Sequence, residues 1–221
     1  MGTQVLLSGI EFEALAGSTT VIRGGNGSGK TTLLRCLAGL KPLANGTRVG
    51  PKRCAYVPAS LTPPAIKVRS WLESIPRRQA SNYEMALSQL SFRGDLDASV
   101  GNLSFGNRRK MVLAEALAED IRLVLIDEAT AGLDQNGVRG LNGLIENRRD
   151  AGACIVVAEQ DTIPAPWADT VLAIENESLK IDHRTPDTIE EVRLRGPKAS
   201  ITAITEFAAG MGVHEISEFD S

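Results

Sequence analysis

Apolar and polar positions alternate between two periods along the chain, and the change of period predicts the elements. Ser18 to Arg23 (STTVIR) is β-branched and predicts a strand. In the segment that follows Gly29, Leu33, Leu34, Leu37 and Ala38 recur at helical spacing, Gly39 supplies a stop and Pro42 forbids continuation. Lys52 to Val57 predicts a further strand, ended by Pro58. From about Ala59 to Ala118 the pattern becomes helical. Pro63 and Pro64 make a stiff connector, and WLESI, YEMALSQL and RRKMVLAEALAE each carry helical periodicity. Arg122 to Ile126 and Ala153 to Ala158 are continuous apolar runs, as expected of strands buried on both faces of a parallel sheet. The helical stretch VRGLNGLIENRRD lies between them and implies a right-handed parallel crossover. Past Asp182 the pattern predicts a small βαβ-like tail: strand 190–194, helix 200–209, strand 212–216.

Composition narrows the class. The chain has 221 residues, with 24 Lys plus Arg against 27 Asp plus Glu, for a net charge of −3. That balance argues against nucleic acid as the main partner, because phosphate neutralisation needs clustered excess cations. Three cysteines, Cys36, Cys54 and Cys154, sit in or beside apolar segments without a CxxC pair and read as buried free thiols. No apolar run approaches the ~20 residues that span a bilayer, and the N-terminus lacks the basic start of a signal peptide. The expectation is a cytoplasmic protein that reaches a membrane only through another polypeptide. His183 and His214 lie far apart without acidic or Cys neighbours, so no histidine metal site is expected. The basic clusters Arg77–Arg78, Arg108–Arg109–Lys110 and Arg148–Arg149 read as solvated helix faces.

Three segments carry chemistry. Gly24 to Thr31 (GGNGSGKT) fits G-x-x-x-x-G-K-[ST] between a predicted strand and a predicted helix. Glycines let a loop of Gly25, Asn26, Gly27, Ser28 and Gly29 turn its N–H groups inward, and the helix N-terminus adds positive charge, so the loop binds a polyphosphate. Lys30 supplies a point charge to the β/γ-phosphates, and Thr31 a hydroxyl to a magnesium ion. Asp127 and Glu128 end a buried strand, at the sheet edge where ligands of open α/β sheets sit. Asp127 is placed to hold magnesium, and Glu128 to orient or deprotonate an attacking water. Leu103–Ser104–Phe105–Gly106–Asn107 precedes a helical run, with Ser104 as its N-cap, 23 residues before Asp127.

Taken together these segments resemble the nucleotide-binding subunit of an ABC transporter, from about Leu6 to Asp182. GGNGSGKT stands as Walker A, LVLIDE as Walker B, LSFGN in the place of the LSGGQ signature, and Ala131–Gly132–Leu133–Asp134 as the D-loop. The resemblance implies an α/β fold: a RecA-like P-loop NTPase core of parallel strands, with antiparallel strands at the N-terminus and an inserted helical subdomain. Residues 1–58 and 119–182 would form the core, 59–118 the signature subdomain and 183–221 the tail. It further implies ATP and Mg²⁺ as cofactors and a head-to-tail homodimer, or a heterodimer with another ABC ATPase subunit. ATP on one P-loop, including Thr32, would be covered by Ser104, Gly106 and Asn107 of the other chain, with Asp134 nearby. The partner implied is an integral-membrane permease, which keeps the protein peripheral at the inner face of the cell membrane.

Departures from the family pattern qualify the expectation. Ala59 replaces the Q-loop glutamine, with Ser60 next to it, and Gln160 replaces the switch histidine. Gln can hydrogen-bond a γ-phosphate but cannot take up a proton or a positive charge. Phe105 and Asn107 alter the signature. Phe12, in what reads as strand alternation, is the nearest aromatic for adenine, so adenine is expected to be held weakly. Hydrolysis by Glu128 with Gln160 is therefore expected to be slow. Trp71 reads either as a core residue or as part of the permease contact. Within the family the compact form resembles small exporter-type subunits such as the haem-exporter ATPase. The competing reading is a non-transport ABC-type nucleotide sensor with vestigial hydrolysis.

Overall fold

A computed structural model of the chain describes residues 7, 10–160, 166–175 and 178–181. The chain divides into a unit Met1–Arg184 and a second, Thr185–Ser221. The second unit lies outside the described residues, and with it the strands and helix expected for the tail.

Among the described residues six strands form one sheet: β1 (Thr19–Arg23), β2 (Ala55–Val57), β3 (Leu123–Asp127), β4 (Cys154–Glu159), β5 (Thr170–Glu175) and β6 (Ser178–Ile181). Their order is β2-β3-β4-β1-β5-β6. The first five run parallel, and β6 pairs antiparallel to β5. The helices are α1 (Lys30–Leu37), α2 (Val68–Ser74), α3 (Arg77–Gln89), α4 (Phe105–Ala118) and α5 (Gln135–Asp150). The apolar runs become two-faced strands, as their composition requires. On β3, Val124 and Ile126 enter the core that α3, α4 and α5 share, while Leu123 and Leu125 enter the core beneath α1. On β4, Ile155 and Val157 alternate with Val156 and Ala158 in the same way. Each face of the sheet therefore excludes water, and the strand ends are left to carry chemistry.

Four details differ from expectation. The antiparallel pairing comes from β5 and β6, whereas residues 10–18 form no strand; Phe12 packs against the core beneath α1. The strand expected from Lys52 contracts to Ala55–Val57, because Pro51, Lys52 and Arg53 remain exposed. The basic triplet on α4 is not a solvated face. Arg109 and Lys110 are buried, because position 109 shares the helical face of Leu113, Ala116 and Leu117. The cysteines are free and half-buried rather than buried, and burial pushes the thiols of Cys54 and Cys154 up. Trp71 is half-buried against the larger core.

Candidate functional site

The loop between β1 and α1 is shaped by its glycines. Gly29 caps α1 with φ 104°, a conformation that disfavours any side chain. That turn brings Lys30 and Thr31 into the first turn of α1, with Lys30 reaching back to the loop and Thr31 toward β3. Lys30 is 7% exposed, and its Nζ donates to the carbonyls of Gly24 and Gly25, the latter at 2.9 Å. Gly25, Asn26 and Gly27 are exposed, and a Cβ at Gly25 or Gly27 would meet nothing within 4 Å. The loop is thus an open rim with an ammonium folded beneath it. Thr32 is half-buried on the next step of α1.

β3 delivers the acidic pair. Thr31 Oγ1 donates to Asp127 Oδ2 at 2.6 Å, joining the loop to the sheet edge. Asp127 is 1% exposed. Glu128 follows with φ 55°, and its amide donates to Ala158 O on the neighbouring strand at 2.8 Å. Few non-glycine residues adopt that conformation. It turns the chain off the sheet at the point where a second carboxylate is presented.

Ser104 caps α4, its side chain accepting from the Asn107 amide at 3.2 Å, as its residue type predicts. Gly106 lies so close to the turn after β3 that a Cβ there would run into the carbonyl oxygen of Gly132. Phe105 is exposed beside the same glycine. The hydrogen bonds of Ser104–Asn107 go to this cap, to the Arg93 amide and to Arg108, not to residues 24–31. Asp134 caps α5, accepting from Gly137 N at 3.1 Å, and receives Lys110 Nζ at 2.7 Å. That lysine holds its carboxyl below the usual range. Gln160 is exposed at the end of β4, and Ala59 is half-buried after β2.

The structure therefore brings Lys30, Thr31, Asp127 and Glu128 to one sheet edge. Two further charged groups at that edge escape a reading by motif, Arg109 and Glu159, both 0% exposed. A signal for Glu159 exists in the sequence. It ends the apolar run ACIVVAE as Asp127 and Glu128 end RLVLIDE. Thr170 to Glu175 (TVLAIE) likewise carries the β-branched signature of a strand.

Comparison with known proteins gives a consistent picture. Residues 7–131 match the ABC transporter family. The chain is 29% identical over 218 residues to a zinc import ATP-binding protein ZnuC of Halorhodospira halophila, covering 96% of this chain and 80% of the relative. It is 33% identical over 169 residues to the cytochrome c biogenesis ATP-binding export protein CcmA of Paracoccus denitrificans, covering 74% and 79%. A solved structure described as the ATP binding subunit of an ABC transporter superposes with a TM-score of 0.67 at 19% identity, over 94% of this chain and 93% of that one.

Proposed function

The chain belongs to the ABC transporter family, and from that premise we propose how its residues share the work. It is an ATP-binding subunit of the family, an ATPase whose hydrolysis drives transport with a membrane partner. Among the described residues no helix is long and apolar enough to cross a membrane, which fits a motor that acts on a separate permease at the inner membrane face.

The observation that carries the assignment of roles is the 2.6 Å bond between Thr31 and Asp127, with Lys30 folded under the same loop. Amides of Gly25 to Lys30 cradle the triphosphate, with Thr31 and Thr32 continuing the cradle along the helix N-terminus. Lys30 releases the loop carbonyls and takes the β/γ-phosphates. A hydroxyl and a carboxylate at hydrogen-bond distance are the oxygen donors that magnesium accepts, so Thr31 and Asp127 fit as its holders. Bound there, the ion would neutralise charge on the phosphates. Glu128 orients and deprotonates the attacking water, and Gln160 hydrogen-bonds the γ-phosphate.

Ser104, Gly106 and Asn107 are left free of the loop in their own chain, which supports a head-to-tail dimer in which they cover ATP on the other copy. Asp134, already paired with Lys110, lies in the turn that supports them. Residues 59–118 act as the lobe that carries this cover. A homodimer is the simplest form, with a second ABC ATPase subunit as the alternative. Ala59 and Gln160 make turnover slower than the ~1–10³ s⁻¹ usual for enzymes. The two named relatives carry different cargo names, and what they have in common is the ATPase part, which is where this chain resembles both.

The test is size-exclusion chromatography and steady-state hydrolysis of Glu128→Gln. The expected result is a dimer that forms only with MgATP, and a loss of about 10²–10⁴ in turnover. A variant that stays monomeric at saturating MgATP removes the support for the shared site, and wild-type turnover removes the role of Glu128.

A further inference from the structure

Arg109 and Glu159 both hold the stretch of backbone at and after the end of β3. Arg109 lies in the second turn of α4 and is fully buried. Its guanidinium donates to three carbonyls: Pro58 from Nη1, and Asp127 at 2.5 Å and Glu128 at 2.9 Å from Nη2. Glu159 is the last residue of β4. Parallel register sets Asp127 opposite Ala158, which puts Glu159 one step beyond, beside the turn that follows β3. Glu159 Oε1 accepts from the Thr130 amide at 3.1 Å and from the Thr130 hydroxyl at 3.4 Å.

Between these two grips lies Glu128, with its φ of 55°. Its amide is held by Ala158 O, and its carbonyl accepts from both Arg109 and the Ala131 amide. A non-glycine residue persists in this conformation only where its surroundings over-determine it. The side groups chosen for the task are expensive. A buried guanidinium and a buried carboxylate each lose hydration, and neutral donors or acceptors serve a carbonyl or an amide at lower cost. Burial pulls Arg109 down to about 10, still charged at neutral pH, and Asp127, Glu159 and Glu128 act against that pull. Burial pushes Glu159 up, opposed by Thr130 and Arg109. A rigid planar fork spans several carbonyls at fixed angles, which a lysine does not. The arrangement fixes direction, and direction matters at a carboxylate that must meet a water.

We propose that Arg109 and Glu159 are positioning residues for hydrolysis, a clamp on the Asp127 and Glu128 carbonyls and the Thr130 amide that aims the Glu128 carboxylate. The proposal rests on the role given to Glu128 above. The full chain is assayed for MgATP hydrolysis and for binding of a fluorescent ATP analogue as Arg109→Lys, Glu159→Ala and Glu159→Gln, with Glu128→Gln as reference. Arg109→Lys and Glu159→Ala lose about tenfold or more in kcat, with KM for ATP and analogue affinity within about twofold. Glu159→Gln, which keeps an oxygen for the Thr130 amide, stays within about threefold of the wild type. The inference is overturned if folded Arg109→Lys and Glu159→Ala keep full kcat, if KM absorbs the loss, or if Glu159→Gln falls as far as Glu159→Ala. Wild-type turnover by Glu128→Gln would sink the role of that residue, and the clamp with it. Impaired Glu128→Gln beside intact clamp variants sinks the clamp alone. Should a variant fail to fold, amide hydrogen exchange in the wild type decides. Slow exchange at Thr130 supports the clamp, and exchange as fast as an exposed amide overturns it.

Discussion

The ends of β3 and β4 lie side by side in the sheet, and each ends in an acid, yet the two acids answer to different partners. Asp127 faces the Thr31 hydroxyl at 2.6 Å and so points toward the loop between β1 and α1. Glu159 accepts from the Thr130 amide at 3.1 Å, and so points toward the turn that follows β3. Both are almost wholly shielded from solvent, at 1% and 0% exposure. Burial alone therefore does not distinguish a reacting carboxylate from a supporting one. What distinguishes them is where the partner sits: Asp127 meets a hydroxyl from the loop after β1, whereas Glu159 meets the amide and the hydroxyl of Thr130 in the turn after β3.

The widest gap between the two ends should appear on neutralising each acid in turn. Asp127→Asn is expected to lower turnover by about 10²–10³, the usual cost of one preorganised electrostatic group, with the fold intact by circular dichroism. Glu159→Gln should lower it far less. Equal losses from the two substitutions, measured in one steady-state assay, would erase the distinction between them.

A smaller effect concerns the ground on which the β3 end rests. Gly106 at the start of α4 touches the backbone of Gly132, in the turn after β3, where no Cβ fits. Gly106→Val should therefore cost about 1–3 kcal/mol, read from urea denaturation, because backbone rather than a flexible side chain must move. Gly25→Ala, on the open rim of the phosphate loop where a Cβ meets nothing within 4 Å, should leave the urea midpoint nearly unchanged. If both cost the same, the α4 start is not seated on the turn as described.

These contrasts also explain what the residues disclosed before any fold was known. The phosphate loop is local: its glycines, lysine and threonine are contiguous, and their chemistry follows from one turn of backbone. β3 and β4 are legible for a related reason, since a strand buried on both faces must be apolar at every step. Arg109 is the opposite case. A basic triplet on a helix has the composition of a solvated face, and only helical phase against Leu113 and Leu117 separates the buried Arg109 and Lys110 from Arg108. Its partners are 51, 18 and 19 residues away, so no local pattern names them. β5 has a plain strand pattern, whereas its antiparallel neighbour β6 is only four residues long. Asp134 shows how one residue carries two readings, because the D-loop position that the family resemblance assigns to ATP is also the N-cap of α5.

The smallest expected effect is a pH dependence at the β4 end, and its sign follows from burial. Loss of hydration raises the Glu159 pKa in the folded state, the Thr130 bonds and Arg109 work against that rise, and the nearby Glu128 adds to it. A carboxyl that binds its proton more tightly when folded makes stability fall as pH climbs from its unfolded value of about 4.3 through its raised folded value. Below that window both states are protonated and the penalty vanishes; above it the penalty is fully present. Glu159→Gln is neutral at every pH, so its stability relative to the wild type should improve as pH rises from 4 to 7.5 and then level off. Thermal melts of the two proteins across that range supply the check. A difference that stays constant would mean that Arg109 and the Thr130 bonds cancel desolvation, and one that shrinks toward pH 7.5 that they outweigh it, so that the clamp holds an ionised carboxylate at no cost to the fold.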